Sequence, residues 1–144
     1  MQTFDWKPKY FVASLTTQAG RNLVSYYNRV LEKYGLTAQQ AMALGVLWTG
    51  GEMSLGTFAG QAGMGKAAAV AMIKRLEAME YVTRETDPRD RRLNIIRLTS
   101  KAKVHAPEIA QSVDRLEQTV REALGEERLQ TVLQALAVIR DLDL

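Results

Sequence analysis

The stretch Tyr81-Val82-Thr83-Arg84-Glu85-Thr86-Asp87-Pro88-Arg89-Asp90-Arg91-Arg92-Leu93-Asn94-Ile95-Ile96-Arg97-Leu98 decides the fold. Its two ends, Tyr81 to Thr86 and Leu93 to Leu98, are rich in aromatic, β-branched and aliphatic residues and read as strands. Between them Asp87 suits the first position of a type I turn and Pro88 the second. The expectation is a two-stranded hairpin with an arginine-loaded tip.

Working upstream, Ser54 opens a short helix carrying Leu55, Phe58, Ala59 and Ala62. Gly63 and Gly65 bracket a tight turn at Met64, and a longer helix follows from Lys66 to about Glu80. Val70, Ile73, Leu76 and Met79 are expected on its inward face. Two short helices joined by a glycine-containing turn form a helix-turn-helix. With the hairpin behind it, the middle of the chain reads as a winged helix-turn-helix.

The flanks are helical. Phe11, Leu15, Ala19, Leu23, Tyr26, Val30 and Tyr34 recur at helical spacing from about Pro8 to Tyr34, with Gly35 at the exit. Thr37-Ala38-Gln39-Gln40 reads as a capping box for a helix over 38–48 that is apolar on nearly every side, ended by Gly50-Gly51. Thr99 can cap the next helix, which Pro107 is expected to kink or break. Gly125 separates it from a last helix over about 126–142, whose acidic first turn suits the macrodipole. The fold class expected is mainly α, with long amphipathic helices on either side of the winged region.

Composition narrows the function. The 144 residues fit one compact domain and carry a net charge of +3. The charge is uneven: residues 66–103 hold 10 basic and 5 acidic groups, residues 104–144 only 4 against 8. A basic middle implies an anionic partner. No cysteine is present, which excludes a disulfide framework and a thiolate metal site, and the lone His105 makes no metal site by itself. The segment Gly60-Gln61-Ala62-Gly63-Met64-Gly65 follows no strand, so it is not a phosphate loop, and zinc-protease and serine-hydrolase motifs are absent. Neither an enzyme nor a cofactor is expected. The absence of an apolar span or signal core leads to the expectation of a cytoplasmic protein with no membrane partner.

Arg75-Leu76-Glu77, Tyr81-Val82, the run from Asp87 to Arg92, Arg97-Leu98-Thr99 and the Leu36-Thr37 helix entry together resemble the multiple-antibiotic-resistance regulator (MarR) family over essentially the whole chain. The resemblance implies a homodimeric transcription regulator. Residues 36–100 would be the DNA-binding region, and 8–35 with 101–144 the helical dimerisation region. It further implies a repressor on a pseudo-palindromic operator, released by a small aromatic or anionic effector. In such a protein the recognition helix enters the major groove and the wing reaches the adjacent minor groove of double-stranded DNA.

Carried onto this chain, the resemblance makes Arg89 and Arg91 the wing residues for groove or phosphate contact, in keeping with arginine's place in narrow minor grooves. Asp87 would shape the wing, with Arg75 as its partner. Lys66, Ala67, Ala68, Val70 and Ala71 fall on the groove-facing stretch, with Lys66 and Lys74 as phosphate contacts. Ser54, Thr57, Gln61 and Arg84 are further phosphate candidates; Ser54 serves equally well as a helix cap. Tyr26, Tyr27, Met42 and Trp48 are candidates for an effector pocket, against plain core packing.

The recognition helix departs from the family in having almost no polar side chain between Lys66 and Lys74. Three readings stay open. Specificity comes from wing arginines and DNA shape, with alanines against thymine methyls; or specific DNA binding is lost; or the alanines are buried. The second keeps alive an alternative function, a winged-helix dimer acting through protein–protein contacts.

Overall fold

The computed structural model describes residues 11–90 and 94–143. Its elements run α1 (Val12–Leu31), a 3-10 turn (Glu32–Tyr34), α2 (Ala38–Gly50), β1 (Met53–Ser54), α3 (Leu55–Gln61), α4 (Lys66–Ala78), β2 (Val82–Thr86), β3 (Asn94–Leu98), α5 (Ser100–Leu124) and α6 (Glu126–Arg140). The chain divides into two compact units, one ending at Pro107 and one beginning at Glu108.

In the first unit, helix ends carry much of the design. α1 closes with Gly35 in the left-handed conformation (φ 68°), where a side chain would be strained. The Leu36 amide donates to Leu31 O and the Gly35 amide to Glu32 O. The same pair of bonds closes α3, with Met64 donating to Ala59 O and Gly63 to Gly60 O. It closes α4 as well, with Tyr81 donating to Leu76 O and Glu80 to Glu77 O. These are Schellman endings, which satisfy carbonyls left over at a helix terminus and bring two apolar residues together across it. Leu31 with Leu36 and Leu76 with Tyr81 are such pairs, all four buried. At the third ending Glu80 takes the left-handed position (φ 61°) usually given to glycine.

The starts of the helices are equally specified. Thr37 and Gln40 form the expected capping box, and Asn28 from α1 accepts the Ala38 amide (2.9 Å). Ser54 caps α3 by accepting from the Thr57 amide, and Thr99 caps α5 by accepting from the Ala102 amide. Phe58, Leu44, Leu47, Ile73, Leu76 and Ile96 fill the core between α2, α3, α4 and the sheet. Burying each large aliphatic or aromatic side chain of this kind contributes roughly 1.5–3 kcal/mol.

The sheet corrects the sequence reading: it has three antiparallel strands, in the order β1-β3-β2. Met53 pairs with Ile96 and Ser54 with Ile95, while Val82 to Thr86 pair with Leu98 to Asn94. A two-residue strand is too short to show an alternating pattern, so β1 left no signal in the sequence. Arg97 on β3 holds the sheet from outside by hydrogen bonds to Glu52, just before β1, and to Glu85 on β2. That contact keeps the Glu52 carboxyl below its usual range, the hydrogen bond from Arg97 acting first and its charge second.

Three further expectations change. Helix α5 runs on through Pro107, with the boundary between the two units falling there. Proline removes one N–H and crowds the carbonyl four residues back, a cost that the helical turns on either side outweigh, so the helix is not broken there. The inward face of α4 is Ala69, Met72, Ile73 and Leu76, with Val70 and Met79 half-buried. Helix α2 buries Ala41, Ala43, Leu44 and Leu47, yet leaves Met42 71% exposed.

Tyr81 joins these elements. Its side chain is fully buried at the start of β2, and its hydroxyl lies 2.9 Å from both Tyr34 O and His105 Nδ1. A phenol has one proton, and a carbonyl can only accept. Tyr81 therefore donates to Tyr34, and His105 must donate to Tyr81 from Nδ1. Burial pushes the Tyr81 phenol above its ordinary pKa, which keeps that proton in place. Replacing Tyr81 by Phe leaves both partners unsatisfied. The expected loss is about 1–2 kcal/mol, read as a lower urea midpoint with an unchanged slope.

Candidate nucleic-acid interface

The helix-turn-helix consists of α3 and α4 with the turn at Gly63 to Gly65. α3 sets the entry to α4 because Phe58 and Ala59 are buried, so the two short helices cross closely. What remains outward on α4 is Lys66, Ala67, Ala68, Ala71, Lys74, Arg75 and Ala78, with Val70 half-buried. Ala67, Ala68 and Ala71 are thus surface residues, which removes the reading in which they pack in the core. Ala69 is the alanine that does, fully buried.

The cations fall into two groups. Lys66, Lys74, Arg75 and Arg89 are exposed and form no ion pair among the described residues. Arg84 leans toward Glu77 on α4 (3.8 Å), and Arg97 is shared between two carboxylates. A cation whose charge is not answered within its own chain is available to an anionic partner. The neutralised ones brace the sheet instead.

At the wing, Asp87 accepts a hydrogen bond from the Arg89 amide (2.8 Å), an Asx turn that sets the direction of the tip and turns the chain at Pro88. The expected pairing of Asp87 with Arg75 is absent among the described residues: Asp87 Oδ1 accepts from the local turn, and Arg75 lines a hollow with Met42 and Met72. Arg91 and Arg92 lie outside the described residues. Ser54 is occupied as the α3 cap and also meets the Thr57 hydroxyl (2.9 Å). Thr57 and Gln61 are exposed on α3.

Of the four pocket candidates, Met42 and Trp48 border different hollows. Met42 borders a hollow of about 630 Å³ between α2, the α3–α4 turn and α4. Trp48 lines a different one of about 360 Å³, with Glu52, Arg97 and Lys103. The Trp48 indole N–H is buried without a hydrogen-bond partner. Tyr26 and Tyr27 meet edge to face on α1, and neither is among the residues named around these two hollows. Among the described residues no cluster of three His, Asp or Glu could hold a metal, and no helix is long and apolar enough to cross a membrane.

If Lys66 and Lys74 each meet a phosphate, replacing either by Ala lowers DNA affinity on all sequences alike. The slope of log affinity against log salt flattens by about one unit per site, as followed by fluorescence anisotropy. A loss confined to one base position would show base reading instead.

Comparison with known proteins places this geometry. Residues 36–93, from the entry of α2 to the wing, match the MarR family model. The HTH-type transcriptional regulator MgrA of Staphylococcus aureus is 28% identical over 99 residues, covering 68% of this chain and 67% of MgrA. The fold is shared with BpsR of Bordetella bronchiseptica, solved in a study of how 6-hydroxynicotinic acid regulates its DNA binding (TM-score 0.84, 22% identity, 97% of this chain and 100% of that one). It is shared also with CouR, a transcriptional repressor solved on a 23-mer DNA duplex (TM-score 0.83, 23% identity, 97% and 99%). The helix-turn-helix and the wing thus fall in the segment that matches the MarR family model, and the chain is similar to HTH-type transcriptional regulators.

Proposed function

We propose that the protein is a homodimeric repressor that binds double-stranded DNA through α4 and the wing, and that a small aromatic or anionic effector releases it. The observation that carries the DNA reading is the set of unanswered cations, Lys66, Lys74, Arg75 and Arg89, on the helix-turn-helix and wing. Arg91 adds to it by sequence, and Arg84, Ser54 and Thr57 are secondary contacts because each already has an intramolecular partner. BpsR and CouR supply the precedent for DNA binding and effector control on this fold.

Two apolar faces support a dimer. Phe11, Val12, Leu15, Leu23 and Val24 are exposed on or beside α1, and Val132, Leu133, Leu136 and Ile139 on α6. Apolar side chains exposed along each of these helices favour pairing, and a twofold pair would present two recognition helices to two half-sites. Light scattering is expected to give twice the chain mass at micromolar concentration. Leu136→Asp, which places a charge in the α6 face, shifts the protein toward monomer; a wild-type monomer would remove the dimer reading.

The function itself is tested by titrating the protein against its own upstream DNA and against random DNA at two salt concentrations. A clear preference for the upstream duplex is expected. A ratio near one favours the second reading, a winged-helix dimer working through protein partners, which the alanines on α4 keep in play.

A further inference from the structure

The outward face of α4 has an unusual chemistry for a helix that reads DNA. Its polar side chains, Lys66, Lys74 and Arg75, are all cationic and stand at the two ends of the exposed stretch. From Ala67 to Ile73 the exposed side chains, those of Ala67, Ala68 and Ala71, carry no hydrogen-bond donor or acceptor. The interface is therefore cationic at its margins and apolar between them. The margins suit phosphates. The exposed side chains of the middle cannot hydrogen-bond a base edge, because such a contact needs a side-chain donor or acceptor and alanine has neither.

One apolar group projects from base edges into the major groove, the C5-methyl of a pyrimidine. Thymine carries it, and 5-methylcytosine presents the same group from a G·C pair. Resting on the DNA reading above, we infer that α4 recognises C5-methylpyrimidines, with Ala67, Ala68 and Ala71 as the specificity-determining contacts. The alanines are not the binding site; the cations at the margins hold the duplex, and the alanines decide which duplex is held best. Because the burial of one methyl group changes affinity roughly fourfold, a few such contacts give a substantial preference without any hydrogen bond to a base. The minor groove shows no C5-methyl, so this selectivity belongs to α4 and not to the wing.

The test compares duplexes that differ in the methyl alone: alternating dA–dT against alternating dA–dU, and alternating dG–dC against the same duplex with 5-methylcytosine. With the intact protein, the methylated member of each pair binds more tightly, roughly fourfold per methyl engaged, and the salt dependence is the same for both members. Ala68→Ser and Ala71→Ser keep the helix and the cations, and they bring both ratios toward one while leaving the salt dependence unchanged. Tight binding with ratios of one for the intact protein overturns the inference and leaves the DNA reading standing. Ratios above one that the serine variants do not alter overturn it too, since the methyl preference then arises elsewhere. Failure to bind any of the four duplexes overturns the inference, and it overturns the DNA reading only if the upstream duplex is not bound either.

Discussion

The burial of Tyr81 is the constraint on which the DNA-binding region depends. Its amide closes α4 by bonding Leu76 O, its carbonyl accepts the Thr99 amide at the start of α5, and its hydroxyl joins Tyr34 to His105. One side chain thus ties the end of α4, the first strand of the wing, the turn after α1 and the first turns of α5. The Lys101 ammonium lies over its ring (4.7 Å) and bonds Met79 O, covering the junction from the solvent side. Thr99 adds a bond from its hydroxyl to Glu80 O, which steadies the left-handed residue where glycine would be easier. Recognition helix and wing leave this junction in opposite chain directions, so their mutual placement is set here.

A second principle is the partition of charge. Arg97 is spent on Glu52 and Glu85, and Arg84 on Glu77, so two arginines near the wing serve the sheet. Arg89 at the tip and Lys66, Lys74 and Arg75 on α4 are left to solvent. Exposed ion pairs contribute little stability, which makes the brace around Arg97 an aligning contact more than a stabilising one. The free cations cost the fold little and give the surface its sign. Between them the exposed alanines of α4 leave a face that is cationic at its edges and apolar at its centre.

Much of this was legible in the residues. The helix-turn-helix, the hairpin at Asp87-Pro88, the Thr37–Gln40 capping box and the Gly35, Gly63 and Gly125 helix limits were all written in local chemistry, because caps, turns and amphipathic periods act within a few residues. The strand β1 was not, since its existence depends on Ile95 and Ile96 lying beside Met53 and Ser54. The unbroken course of α5 past Pro107 was not, because helical turns on both sides outweigh the missing N–H and the crowded carbonyl.

The same division holds at the candidate site. The sequence alone determined that the middle of the chain is basic, that its wing carries arginines and that α4 is poor in polar groups. Tertiary structure decided which alanine is core and which is surface: the sequence spacing put Val70 inward beside Ile73 and Leu76, and the fold buries Ala69 and Met72 there while Val70 stays half-buried. Tertiary structure likewise decided which cations are free, because Glu52 and Glu85 are distant from Arg97 in sequence and reach it only through the sheet. It separated Met42 from Trp48, two residues of one helix whose side chains open on different hollows. Local patterns fix elements and their ends; the exposure and pairing of a side chain are set by partners far along the chain, and those partners exist only once the fold has brought them together.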